Sequence, residues 1–135
     1  MTSRRRLLKL SAGLSALAVL APAARAAEEK KKGGGISFLQ IQTLNATIFR
    51  GDGRRGVMTV EVGVDIPNGG QRARAEISTP RLRAAYLQVL QTYASGLGPG
   101  VAPDADYIAR MLQKETDTVL GGPGGKLLLG TILVN

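Results

Sequence analysis

The chain contains no cysteine, no histidine and no tryptophan. Without cysteine there is neither a disulfide framework nor a thiol nucleophile. Without histidine the Ser/His and Cys/His catalytic arrangements are gone, and so are the usual ligand sets for zinc, haem and iron–sulfur clusters. Aromatic residues are scarce, two Phe and three Tyr, which leaves little with which to stack bases or sugar rings. A length of 135 residues holds one domain with a modest core. Carboxylate chemistry, binding and structural roles remain. Positive charge, by contrast, is plentiful: 18 Lys and Arg face 10 Asp and Glu, a formal net charge of +8 that taken alone points to nucleic acid or an anionic surface.

The position of that charge along the chain changes its meaning. Residues 1–26 form a basic head, an apolar run and a small-residue ending, the pattern of a secretory signal peptide, with Ala24 and Ala26 marking an A-x-A cleavage site. Ser3-Arg4-Arg5-Arg6-Leu7-Leu8-Lys9 resembles the twin-arginine export consensus S-R-R-x-F-L-K, with Leu7 in the Phe slot. The resemblance implies export of a folded protein to a bacterial periplasm. A retained signal would instead anchor the chain in the inner membrane, but Lys9 bounds a run of 15 positions to Ala24, short of the roughly 20 apolar residues that a spanning helix needs. Residues 27–35, AEEKKKGGG, have nothing to bury and read as a charged, glycine-rich tether. Residues 36–135 are left with 10 bases against 8 acids, a balance that does not call for nucleic acid.

Within this predicted domain, residues 36–50 have strand composition, but their alternation shifts phase. Leu39 and Ile41 share one face and Leu44, Ala46 and Ile48 the other, so a bulge or bend is expected near Thr43. After a turn at 51–56, residues 57–66 alternate cleanly, with Met58, Val60, Val62, Val64 and Ile66 on one face of a half-buried strand. Pro67-Asn68-Gly69-Gly70 reads as a turn, and residues 72–77 as a short third edge strand. Thr79-Pro80 opens a helix running to about Ser95, with Leu82, Ala85, Tyr86, Val89, Leu90 and Tyr93 on its apolar stripe. A second helix starts at Asp104-Ala105-Asp106 and carries Ile108, Leu112 and Val119. Residues 127–134, LLLGTILV, are almost continuously apolar and predict a central strand buried on both faces. The predicted order is β-β-(β)-α-α-β, an α+β domain whose two helices cover one face of a small, mostly antiparallel sheet.

The motifs with chemical meaning weaken in context. Gly51, Gly53 and Gly56 match G-x-G-x-x-G, yet a strand follows where the dinucleotide fingerprint needs a helix. Residues 121–126 resemble a phosphate loop but precede a strand and lack its Ser or Thr. Arg50-Gly51-Asp52 and Asn45-Ala46-Thr47 match an adhesion triplet and a glycosylation sequon by pattern only. Asp104 and Asp106 are the one close acid pair, and helix capping accounts for both. No enzymatic activity, cofactor or metal is expected. The candidate interaction surface is basic: Arg50, Arg54 and Arg55 near the first hairpin, and Arg72, Arg74, Arg81 and Arg83 before and into the first helix. Such a surface suits an anionic ligand or an acidic protein partner, and without interleaved aromatics or a recognition helix it does not suit nucleic acid.

Several strings, taken with the element order, resemble the FliL family of proteins associated with the flagellar basal body. They are Leu44-Asn45-Ala46-Thr47, Pro80-Arg81-Leu82-Arg83-Ala84-Ala85 and the terminal Leu128-Leu129-Gly130-Thr131-Ile132-Leu133-Val134. The resemblance spans residues 39–135. It implies a non-enzymatic, stomatin-like periplasmic domain that self-associates into a ring around flagellar stator units and supports motility, with no catalytic residues to carry over. FliL proteins are usually held by an N-terminal membrane helix. A cleavable twin-arginine signal departs from that pattern, and a ring-forming role would then need another means of membrane attachment.

Overall fold

The computed structural model describes residues 37–135. The signal peptide, with Arg4, Arg5, Ala24 and Ala26, and the tether over 27–35 lie outside the described residues. Over the described residues the architecture is α+β, with an antiparallel four-stranded sheet and three helices.

The phase shift read in the first strand is a real break. β1 (Phe38–Gln40) and β2 (Leu44–Phe49) lie end to end along the same side of β3 (Arg55–Asp65). Phe38 pairs with Asp65, and after the break Leu44 pairs with Val60. Ile41 in the break is itself fully buried, and so are Leu44, Ala46 and Ile48, so the bend lets both phases of the pattern supply the core. Met58, Val60, Val62, Val64 and Ile66 are all buried on the predicted face.

The expected third strand is a helix. Residues 72–77 belong to α1 (Gly69–Ile77), and Asn68, read as part of a turn, caps it by accepting from the Gln71 amide at 2.9 Å. The stretch is short and polar, and only Ala75 is buried, so its pattern carried no periodic signal; the Asn cap outweighed the extended reading. α2 (Thr79–Gly96) follows almost without pause. Thr79 is not its cap: that position is Ser78, and the Thr79 hydroxyl donates back to the Ala75 carbonyl. α3 (Ala105–Leu120) begins as expected, with Asp104 accepting from the Tyr107 amide at 3.0 Å, and ends on Gly121 in the left-handed region, φ 80°. A side chain at Gly121 would strain the cap.

The C-terminal strand β4 (Lys126–Val134) differs from its prediction. It pairs with β3 alone, which puts it at an edge of the sheet and not in the centre. A bulge sets Gly130 and Thr131 opposite the single residue Glu61. On its two sides, Leu127 and Leu129, then Ile132 and Val134, pair with inward residues of β3. Leu128 and Leu133 fall on the outward face, 39% and 53% exposed. The run looks continuously apolar because a bulge shifts its phase and because two outward positions are also apolar, not because both faces are buried.

The core lies between the inward face of the sheet and the helices, with Leu82, Tyr86, Leu90 and Ala94 from α2 and Ile108 and Leu112 from α3. Full burial of each such leucine is worth about 1.5–3 kcal/mol. Among the described residues no helix covers the outward face of the sheet. On it the Phe38 ring lies over Gly63, occupying the space that a Cβ there would need.

Candidate functional site

The seven candidate arginines do not form one surface. β3 and α2 run the length of the domain, so Arg50, Arg54 and Arg55 sit at one end, on the β2–β3 turn. Arg72, Arg74 and Arg81 sit on α1 and the start of α2, near the opposite end of a helix about 27 Å long. Arg83 is half-buried and turned inward. Its guanidinium donates to the Thr43 carbonyl at 3.3 Å, in the bend between β1 and β2, while its Nε is buried without a hydrogen-bond partner. Arg83 therefore braces the bend instead of facing outward with its neighbours.

The hairpin end is the better-defined cluster. The turn is closed by Arg50 donating its amide to the Arg54 carbonyl at 2.8 Å and by the Gly53 amide donating to the Arg50 carbonyl at 2.9 Å. The Asp52 carboxylate accepts from the Arg54 amide at 2.9 Å, so the acid of this end serves the turn. Arg50, Arg54 and Arg55 are left exposed. The loop between α2 and α3 reaches the same end, with Gly100 against Gly51. Phe49, Arg50, Val101 and Val134 border one recess of about 610 Å³ there. Phe49, Val101 and Val134 are 45%, 55% and 46% exposed.

A second concavity, of about 680 Å³, lies on the outer side of the helix pair. Ala85, Val89 and Tyr93 of α2 and Tyr107 and Met111 of α3 line it, with Asp104 and Glu115 as its acids. Tyr93 and Tyr107 stack with ring centroids 5.5 Å apart, and the Tyr93 hydroxyl accepts from the Asp104 amide at 2.7 Å. Sequence reasoning placed Ala85, Val89 and Tyr93 on the same apolar stripe as Leu82, Tyr86 and Leu90, and Val89 and Tyr93 do pack against the edge of the core. All three are half-buried and form the rim of this groove, because α2 turns only its Leu82, Tyr86, Leu90 and Ala94 row to the sheet.

The remaining motifs have structural explanations. Gly51, Gly53 and Gly56 span a strand-to-strand turn, residues 121–125 join α3 to β4, and Asp104 caps α3 with Asp106 in its first turn. Among the described residues no three His, Cys, Asp or Glu side chains are grouped so as to hold a metal ion, and no helix is long and apolar enough to cross a membrane.

No family model, curated protein or solved structure matches the chain.

What the sequence did not reveal is the inequality of the two sheet edges. Along β2, Gln91 of α2 reaches over to donate to the Asn45 carbonyl at 3.4 Å and to accept from the Thr47 amide at 3.5 Å, and Arg83 covers Thr43. That edge is blunted by side chains. The far edge of β4 pairs with nothing among the described residues, and no charged residue interrupts it after Lys126. An exposed apolar edge of this kind is a template for pairing with another chain. The one available signal was the apolar run itself, which pattern reasoning assigned to a central strand.

Proposed function

We propose that this is an exported, non-enzymatic scaffolding protein of the bacterial periplasm, similar to FliL, which acts through protein contacts at the flagellar basal body and supports motility. The observation that carries the scaffolding role is the open β4 edge. A strand of nine residues, with Leu128 and Leu133 exposed, is suited to adding a strand from a neighbouring protein or from another copy of the chain. The FliL likeness adds the flagellar setting, through the strings at 44–47, 80–85 and 128–134. Deleting the gene should reduce swimming and swarming, and an epitope-tagged copy should collect at the flagellar base. Normal motility together with a diffuse distribution would rule the flagellar role out.

A second reading, a binding module for an anionic ligand or an acidic protein, draws support from Arg50, Arg54 and Arg55, three exposed cations on one turn whose acid is engaged by the backbone. Reversing the three charges should abolish binding to anionic partners. Unchanged binding would count against this reading.

A further inference from the structure

We infer that the hairpin end of the domain is a docking surface for an anionic lipid bilayer, with the arginines on headgroup phosphates and the neighbouring apolar side chains in the interfacial layer. The inference rests on the second reading above and names its ligand. Two independent features coincide at this end. One is charge: Arg50, Arg54 and Arg55 are all exposed on a tight turn whose backbone is held by its own hydrogen bonds, with the Arg50 stem lying over Gly56. The other is apolar exposure. Phe49 and Val134 at the ends of their strands and Val101 on the adjoining loop are each close to half exposed, and all three border the same recess as Arg50. Val57, which lies beside Thr47 on β3, extends the apolar surface along the outward face of the sheet and is 44% exposed.

An acidic protein would be met by the arginines alone, and water would have to be excluded from Phe49 and Val101 by matching contours. A bilayer interface satisfies both features without shape matching. Anionic headgroups attract the guanidinium groups, and the boundary between headgroups and acyl chains accepts a shallow apolar cap next to them. The other basic group, Arg72, Arg74 and Arg81, lacks this company: Ile77, on the same helix as two of them, stands alone at 82% exposure. The two ends of the domain therefore differ in what they can bind, although both are basic.

The absence of tryptophan from the chain provides a local test. The full-length protein is prepared as Val101→Trp and, separately, as Ile77→Trp, each checked for unchanged circular dichroism. Each is then titrated with vesicles of phosphatidylcholine alone and of phosphatidylcholine with equimolar phosphatidylglycerol. The expected result is a blue shift of emission, and quenching by brominated lipid, for Val101→Trp on the anionic vesicles only, with Ile77→Trp unmoved. Each arginine near an anionic surface contributes about a fivefold factor in affinity. Adding Arg50→Ser, Arg54→Ser and Arg55→Ser to the reporter should therefore weaken vesicle binding roughly a hundredfold as read at this position. A shift that is absent, equal at both reporters, or indifferent to the arginines or to lipid charge would overturn the inference. A shift of Val101→Trp with polyglutamate but not with vesicles would also overturn it, while leaving the broader anionic-ligand reading standing.

Discussion

The hydroxyl pair at the centre of the core shows how one polar contact is made affordable at this depth. Tyr86 and Thr116 are both fully buried, with their oxygens 2.6 Å apart. Thr116 spends its single proton on the Leu112 carbonyl at 2.8 Å, so the Tyr86 hydroxyl must be the donor between them. Replacing Tyr86 with Phe keeps the ring and removes the donor, for an expected loss of about 1 kcal/mol in urea unfolding. Burial raises the Tyr86 pKa above 10.0, and the nearby carboxylates of Asp117 and Glu115 add to that shift. The unfolded chain thus gives up this proton at lower pH than the folded one. The stability contribution is complete below pH 10 and declines as pH rises from there through the folded pKa. The alkaline loss of stability should be shallower in Tyr86→Phe than in the parent, measured as the difference in unfolding midpoint between pH 9 and pH 11. Tyr86 was legible in the sequence as a stripe residue of α2. Its partner was not, because a threonine among polar helix residues gives no hydrophobic signal.

At the level of elements, sequence reading succeeded where apolar spacing was strong and failed where a single polar group decided. β2, β3 and α2 were legible because their burial follows the period of the backbone, and the start of α3 because acidic residues mark a helix N-terminus there. α1 was missed because it buries only Ala75 and is set by the Asn68 cap. The junction of α3 with β4 depends likewise on one amide. Gln113 donates to the Gly125 carbonyl at 2.8 Å and to the Asp117 carboxylate at 3.0 Å, and its Oε1 accepts from the Leu127 amide at 2.8 Å. Gln113→Glu keeps the acceptor but turns a second oxygen toward the Gly125 carbonyl and Asp117. The expected cost is about 1–3 kcal/mol at neutral pH. Gln113→Met, which loses the bonds but adds no charge, should cost less. Thermal unfolding of the two variants beside the parent checks the order, and midpoints equal to the parent's would show that the amide does not hold the start of β4.

For the whole molecule, the arrangement of surfaces matters more than any one side chain. Helices cover one face of the sheet and α2 side chains blunt one edge, while among the described residues nothing covers the outward face or pairs with the β4 edge. If that edge mediates assembly, Leu128→Lys with Leu133→Lys should lower the apparent mass in sedimentation at high protein concentration while leaving the unfolding midpoint within about 0.5 kcal/mol, as is usual for exposed positions. An unchanged mass would exclude this strand as the contact. The two arginine groups were legible in the sequence, but their placement at opposite ends of the domain and the inward turn of Arg83 were not, since these follow from the lengths of β3 and α2 and from the bend at Thr43.

The sequence by itself determined the α+β class, the strongly periodic strands and helices, and the lack of any Cys or His chemistry, because each depends on composition or on the local repeat of the backbone. Only the tertiary structure decided that β4 is an edge and not a centre, that α1 is a helix, and that three of the seven arginines share one exposed end with Phe49, Val101 and Val134. Those outcomes depend on which strand lies beside which and on where a loop returns, and neither is encoded in the spacing of residues along any single element.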